Sequence, residues 1–150
     1  MKLLFDSTVA VDYFRTGEPF TLFRPGVARS QVYLSSVVAM ELRMGCRTKV
    51  EVRTVEQFLR IFQATGRVVS SNHKVWLRAA VILADLGVQH GLNLQRRRRM
   101  GNDALIAASA ADVGAAVITK NDADFALIAR CVPLVWFRSI EGFLGAVPEP

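Results

Sequence analysis

The sequence has 150 residues, 51% of them hydrophobic, which predicts one ordinary domain with a core of its own. No run of about 18 apolar residues occurs, and Asp6 ends the first apolar run, so we expect neither a membrane span nor a signal peptide. The net charge of +6 falls to +2 without one four-arginine run at 96–99, so the basic character is mostly local. Such a run suggests a phosphate-bearing partner, although a solvated loop would show it too.

Cys46 and Cys131 are the two cysteines of the chain. They lack the spacing of a metal site, and we interpret both as reduced thiols in a cytoplasmic protein.

Apolar runs and helical spacings alternate along the first half of the chain. They predict, in order, a strand over residues 3–5, a helix over 9–14 capped by Ser7 or Thr8, a break at 16–19, a short helix ending near 24–26, a strand over 31–35, a helix over 37–46 capped by Ser35 or Ser36, an amphipathic helix over 51–63 and a strand over 67–69.

The second half continues the alternation. It predicts a long helix opened by Asn72 and closed by Gly87 or Gly91, an arginine-rich loop over 91–101, a helix over 104–111 capped by Asn102 or Asp103, a strand over 115–119, a short helix opened by residues 121–124, a strand over 133–136 and a C-terminal helix capped by Ser139. Strands alternating with helices predict an α/β fold whose central, mostly parallel sheet carries helices on both faces. We expect a single domain over residues 1–146 and a frayed tail over 147–150.

Several carboxylates stand where predicted strands end and helices begin. Asp6 directly follows the first strand, where it is either a helix cap or part of a site. Glu41 interrupts an apolar helical face, where a carboxylate is costly unless something pairs with it. A salt bridge to Arg43 or a more distant arginine would explain Glu41, but we favour a bound cation.

Asp103 opens one helix, and Asp122 and Asp124 open another, where a single cap is needed. These positions share one edge of a parallel sheet, and carboxylates gathered there raise one another's pKa unless a counter-charge is present. A hard divalent cation with oxygen ligands is the simplest counter-charge. His73 and His90 are separated by a full helix, which disfavours a zinc site.

Four segments in this order resemble the PIN-domain ribonucleases and, among them, the VapC-type toxins of bacterial toxin–antitoxin pairs. They are Leu-Phe-Asp-Ser-Thr around Asp6, Ser-Ser-Val-Val-Ala-Met-Glu-Leu around Glu41, Asn-Asp-Ala-Leu-Ile-Ala-Ala around Asp103, and Thr-Lys-Asn-Asp-Ala-Asp-Phe around Asp124. The resemblance implies a three-layer α/β/α PIN-like fold with about four or five strands. It also implies an endoribonuclease dependent on Mg²⁺ or Mn²⁺ that cleaves RNA phosphodiester bonds with a metal-activated water.

The resemblance assigns roles to individual residues. It makes Asp6, Glu41, Asp103 and Asp124 the catalytic metal ligands, with Asp122 as an alternative in the fourth place, and Thr8, Thr119 and Asn121 the groups that orient them. The arginine run precedes Asp103 by only a few residues, so we expect Arg96, Arg97, Arg98 and Arg99 to border the site and hold the RNA backbone, with an acidic partner or no role as the alternatives. It further implies a VapB-type antitoxin as partner and a homodimer. The helices over 37–46 and 51–63 offer apolar faces for a dimer, although the same faces would also serve as core.

Three other readings compete with a nuclease. Haloacid-dehalogenase-type phosphatases need a second aspartate two residues after the first, where this chain has Thr8. Response-regulator receivers need an acidic pair near the end of the first strand, which is not evident. A PIN-like module that binds RNA or a protein without cleaving stays open, although all four acidic positions are filled.

Overall fold

The computed structural model describes residues 1–16 and 30–146. Its elements are β1 (Lys2–Phe5), α1 (Ser7–Thr16), β2 (Gln31–Ser35), α2 (Ser36–Gly45), α3 (Lys49–Ala64), β3 (Val68–Val69), α4 (His73–Val88), α5 (Leu94–Arg99), α6 (Gly101–Val113), β4 (Ala116–Ile118), α7 (Asp122–Ile128), β5 (Trp136–Phe137) and α8 (Ile140–Ala146). The predicted short helix ending near residues 24–26 and the predicted tail over 147–150 lie outside the described residues.

The five strands form one parallel sheet in the order β3-β2-β1-β4-β5. Leu4 of the central strand β1 pairs with Tyr33 of β2 on one side and with Val117 of β4 on the other. The predicted α/β fold with a parallel central sheet is therefore confirmed. Because parallel strands end at the same edge, the residues that follow β1 and β4 become neighbours.

Side chains of β1 alternate between two layers of core. Leu4 belongs to a large cluster with residues of α2, α3, α4 and α6, whereas Leu3 and Phe5 pack with Ile140 and Phe143 of α8 on the other face. Burial on both faces explains why β1 is a continuous apolar run without polar alternation. Covered in this way, β1 holds the residue that follows it at the middle of the sheet edge.

The described helices begin largely where their caps predict. Ser35 accepts a hydrogen bond from the backbone N–H of Val37, Asn72 accepts one from Val75, and Ser139 accepts one from Gly142. The long helix α4 passes through Gly87 and ends at Val88. Gly91, with φ of 67°, adopts the left-handed conformation shortly beyond that end.

Several local predictions are wrong. Helix α1 already begins at Ser7, and the carbonyl of Asp6 accepts from the N–H of Ala10, so neither Ser7 nor Thr8 is its cap. The arginine-rich segment is a helix, α5, because Asn93 caps it by accepting from the N–H of Arg96 at 2.9 Å. Helix α6 begins at Gly101, since buried Met100 ends α5 and starts α6, so neither Asn102 nor Asp103 is the cap. Helix α7 has Asn121 at its cap position without a side-chain cap bond, so neither Asp122 nor Asp124 caps it.

The last strand is also displaced from its predicted position over residues 133–136. Trp136 and Phe137 pair with Val117 and Ile118, because the register of β4 selects which residues join the sheet. In the described part of the chain, no helix combines the length and the apolar character needed to cross a membrane.

Candidate active site

Asp6 lies at the carboxyl end of β1 and is 1% exposed. Its carboxylate accepts hydrogen bonds from the N–H of Ser7 at 2.7 Å, from Thr8 Oγ1 at 2.7 Å and from Thr119 Oγ1 at 2.8 Å. Its backbone carbonyl starts α1 by accepting from Ala10, but its side chain does not reach the second or third N–H of that helix as a cap does. The carboxylate is therefore held by the first residues of α1 and by the residue that follows β4.

The two threonines that hold Asp6 also accept hydrogen bonds. Thr8 Oγ1 accepts from the N–H of Lys120 at 3.1 Å, and Thr119 Oγ1 accepts from the N–H of Asn121 at 2.9 Å. A hydroxyl that both donates and accepts has its orientation fixed. These contacts join the start of α1 to the connection between β4 and α7, and they fix the position of Asp6.

Glu41 reaches the same region from α2. It forms no ion pair with Arg43, which instead lies 3.3 Å from Glu56. Glu41 Oε1 accepts a hydrogen bond from Asn102 Nδ2 at 2.7 Å, while Oε2 is buried and has no hydrogen-bond partner among the described residues. The prediction that Glu41 forms a salt bridge to Arg43 is therefore wrong. One carboxylate oxygen of Glu41 has no hydrogen-bond donor among the described residues.

Asp103 stands in the first turn of α6, where the helix dipole favours a negative charge. Burial, the largest cause, and the charges of Asp6, Asp124 and Glu41 together raise the pKa of Asp103 from its ordinary value of 3.8 to about 7. A hydrogen bond from Asn121 Nδ2, at 3.1 Å, acts in the opposite direction. The carboxylates of Asp6, Glu41 and Asp124 thus lie close enough to Asp103 to disfavour its ionised form.

The two aspartates of α7 face different neighbours. Asp124 accepts from Asn121 Nδ2 at 3.1 Å, so one amide bridges Asp124 and Asp103. Asp122 instead lies 2.8 Å from the guanidinium of Arg138. The structure therefore places Asp124 beside Asp103 and Asp122 in a separate ion pair.

The four consecutive arginines do not act as one surface. Arg96 Nη2 lies 3.2 Å from Asp124 and so borders the acidic cluster. Arg97 packs its guanidinium against Gly87 and approaches the carbonyl of Leu83 at 3.5 Å. Arg98 and Arg99 are exposed. The helical spacing of α5, which the sequence did not predict, separates these side chains.

A hard divalent cation fits the chemistry of this cluster. Its donors are carboxylate oxygens, Glu41 Oε2 is buried without a partner in the described residues, and Asp103 is crowded by three other negative charges. Over residues 1–16 and 30–146, no three acidic, histidine or cysteine side chains already surround one point as a metal cage. Instead, the amides of Asn102 and Asn121 and the guanidinium of Arg96 each hold one or two of the carboxylates.

Asn102 is the functional candidate that sequence reasoning missed. It was expected only as a helix cap, yet its amide contacts a carboxylate 61 residues away in the chain. No spacing in the sequence signals a contact between α2 and α6, because the sheet brings the two helices together.

Comparison with known proteins identifies the fold. A family model for the PIN domain matches residues 3–130. No curated protein matches the chain. A chain of the VapBC2 complex from Rickettsia felis, bound to a promoter DNA fragment, is 21% identical, with a TM-score of 0.65 over 91% of this chain and 97% of that one.

Two further solved structures give the same picture. FitAcB from Neisseria gonorrhoeae is 21% identical, with a TM-score of 0.63 over 90% of this chain and 96% of that one. VapBC-5 from Mycobacterium tuberculosis, a member of the VapBC family of toxin–antitoxin systems, is 20% identical, with a TM-score of 0.59 over 91% and 98%. These structures share the fold. The family match spans most of the sequence and includes all four carboxylates of the cluster, which belong to Asp6, Glu41, Asp103 and Asp124. The chain therefore belongs to the PIN domain family.

Proposed function

We propose that this chain is an endoribonuclease, dependent on Mg²⁺ or Mn²⁺, that cleaves RNA phosphodiester bonds with a metal-activated water. PIN domains are generally nucleases, which supports the reaction class. The observation that carries the proposal is that Asn121 Nδ2 bridges Asp103 and Asp124, at 3.1 Å each, while Glu41 Oε2 is buried without a partner in the described residues. The raised pKa of Asp103 agrees with this crowding of carboxylates. Such crowding suits a cation site better than a structural ion pair.

Asp6, Glu41, Asp103 and Asp124 would hold the cation through their carboxylate oxygens. A divalent cation bound there supplies an activated water and stabilises charge that develops on the phosphate. Thr8 and Thr119 keep Asp6 in one orientation, and Asn121 holds Asp103 and Asp124 together. Arg96, Arg98 and Arg99 would draw the RNA backbone toward the cluster, whereas Arg97 is committed to packing on α4.

Cleavage of total RNA by the purified chain, with and without EDTA, tests the proposal. We expect cleavage that EDTA stops, and we expect Asp6→Asn to lower its rate by roughly 100-fold or more, since metal-assisted charge stabilisation is worth several kcal/mol. Asp112→Asn is the matched control, because Asp112 pairs with Lys74 at a distance from the cluster. A folded Asp6→Asn variant with full activity would contradict the proposal.

The same assay decides the fourth ligand and the competing function. Asp124→Asn should lose cleavage, while Asp122→Asn should retain it because Asp122 is paired with Arg138. RNA binding without any metal-dependent cleavage would favour a non-cleaving module instead. Mapping of the cleaved ends identifies the RNA substrate, with Asp103→Ala as the inactive reference.

We further propose that the chain is the toxin of a VapBC-type pair and that a VapB-type antitoxin is its partner. Two of the similar solved structures, from Rickettsia felis and Mycobacterium tuberculosis, bear the name VapBC. In this chain, a cavity of about 590 Å³ lies between α1, α2 and α3, with Glu41 among its lining residues. Its lining includes Val11, Phe14 and Val50, which suit an apolar segment. The measurement that checks the assignment is whether a VapB-type antitoxin, added to the purified chain, inhibits cleavage.

A homodimer is the last part of the proposal. The faces considered for it are mostly core, since Val37, Leu42, Val55 and Phe58 are buried. A second set on α2 and α3, namely Met40, Met44, Val50 and Ile61, is more than half exposed. Sedimentation of the purified chain measures whether two copies associate.

A further inference from the structure

Asn102 makes an unusual pairing with Glu41. The two side chains come from α6 and α2, and Asn102 Nδ2 lies 2.7 Å from Glu41 Oε1. A carboxylate only accepts hydrogen bonds, so the group that faces it must be the NH₂ of the amide. The contact therefore fixes both the Asn102 amide and one oxygen of Glu41.

The second oxygen of Glu41 is the informative one. Oε2 is buried, and no donor within the described residues reaches it. A buried acceptor without a partner costs free energy, so a pairing that served only to join two helices would be incomplete. Asp6 provides the contrast, because both of its oxygens accept hydrogen bonds.

The chemical type of Asn102 matters as much as its position. An arginine there would neutralise Glu41, as Arg96 does for Asp124, and an aspartate would repel it. A neutral amide orients the carboxylate and leaves its negative charge intact. Asn102 also precedes Asp103 directly, so the first turn of α6 contributes both a carboxylate and the group that orients another one.

We propose that Asn102 is a positioning residue for the cation site: its amide holds Glu41 Oε1 so that Oε2 faces the divalent cation. This inference rests on the proposed function. Asn102 would not bind the cation itself and would act only by orienting the carboxylate of Glu41. Its effect should therefore appear in metal affinity and disappear when Glu41 can no longer bind a cation as a carboxylate.

Titration calorimetry with Mn²⁺, in the absence of RNA, tests the role. Asn102→Ala should weaken Mn²⁺ binding by about tenfold, the lower end of the effect of removing a partner of a metal ligand. Glu41→Gln should also weaken binding, and the double variant should bind no more weakly than Glu41→Gln alone. Asn72→Ala is the matched control, since it removes an asparagine contact to a backbone N–H at the start of α4 and should leave Mn²⁺ affinity unchanged.

Circular dichroism and thermal unfolding of each variant separate a positioning role from a structural one. A folded Asn102→Ala variant whose Kd stays within about twofold of wild type would overturn the inference, and so would additive losses in the double variant. Wild-type protein that binds no Mn²⁺ would overturn the proposed function and this inference together. Wild-type binding that Asn102→Ala leaves intact would overturn this inference alone.

Discussion

Asp6 and Asp103 face the same edge of the sheet, but the chain holds them by different means. Asp6 belongs to a strand half, defined by Asp6, Thr8 and Thr119, in which hydroxyl and backbone donors satisfy a fully buried carboxylate. Asp103 belongs to a helix half, which we define as Glu41, Asp103 and Asp124 together with the groups that contact them, Asn102, Asn121 and Arg96.

The difference lies in how negative charge is compensated. In the strand half, each carboxylate oxygen has donors at hydrogen-bond distance. In the helix half, three carboxylates share two amides and one partly exposed arginine, and Glu41 Oε2 has no donor in the described chain. We infer that the strand half is built for rigidity and the helix half for taking up positive charge. The predictions below test this division.

Asp103→Asn should have the largest effect, and it should act in opposite directions on activity and stability. Loss of one carboxylate should reduce cleavage by roughly 100-fold or more, because charge stabilisation by the cation is worth several kcal/mol. Without metal, the same change removes a negative charge that is crowded by Asp6, Asp124 and Glu41, so the variant should unfold at a higher temperature than wild type at neutral pH.

The raised pKa of Asp103 also predicts how the stability of the metal-free protein changes with pH. Burial and neighbouring charges raise the pKa of Asp103 from 3.8 to about 7, so the folded protein retains a proton that the unfolded chain has released. The stability of the metal-free protein should therefore fall as pH rises from about 4 to about 7. Thermal unfolding in EDTA across this range should show a shallower fall for Asp103→Asn, with Asp112→Asn resembling wild type. Parallel curves for wild type and Asp103→Asn would contradict the division.

Thr119→Val should have the next largest effect, and it tests the strand half. Thr119 is completely buried and donates to Asp6 at 2.8 Å, so valine keeps its shape but removes that donor and the acceptor for the N–H of Asn121. Loss of a buried partner costs about 1–3 kcal/mol. We expect the melting temperature in EDTA to fall by roughly 2–4 °C for each kcal/mol by which the free energy of unfolding decreases.

Thr54→Val is the control for this change, because the Thr54 hydroxyl donates to the Val50 carbonyl on the exposed surface of α3. It should change the free energy of unfolding by no more than about 0.5 kcal/mol. If Thr119→Val proves as stable as this control, the strand half does not supply rigidity. The two halves would then be distinguished by charge alone.

The residues of the strand half could be found in the sequence because Asp6, Thr8 and Thr119 stand at or just after the ends of apolar runs, although Thr119 lies 113 residues from Asp6. An apolar run that ends in Asp6 and is followed by Thr8 predicts a strand end with polar groups, and parallel pairing then brings Thr119 close. The order of alternating elements also predicted the α/β class and the parallel sheet. Capping by Ser35, Asn72 and Ser139 was readable because a cap depends on neighbours within three residues.

The helix half was harder to predict because it depends on how side chains meet where helices pack, which strand pairing does not determine. Asn102 contacts Glu41 through the packing of α6 on α2, and Asp122 Oδ2 pairs with Arg138, which follows β5, while its Oδ1 is buried without a partner in the described residues. The arginine run was read as a loop, since charge composition does not reveal that Asn93 caps a helix there. Only the helix places Arg96 at the cluster and turns Arg97 toward α4.

Arg96→Ser should have the smallest effect, and it sharpens the comparison within the helix half. Arg96 is about half exposed, with 49% of its side-chain surface accessible, and it lies 3.2 Å from Asp124, so its ion pair is worth at most about 1 kcal/mol. Its removal should strengthen Mn²⁺ binding by up to about fivefold, because the cation no longer competes with a guanidinium for Asp124. Removal should also lower the slope of log RNA affinity against log salt by roughly 0.7 if Arg96 contacts a phosphate of single-stranded RNA.

Arg98→Ser is the matched control, because it removes the same charge from an exposed position on α5. It should weaken RNA binding while leaving Mn²⁺ affinity unchanged. If both variants bind Mn²⁺ more tightly than wild type by the same factor, then net charge, rather than the contact between Arg96 and Asp124, determines the Mn²⁺ affinity of the helix half.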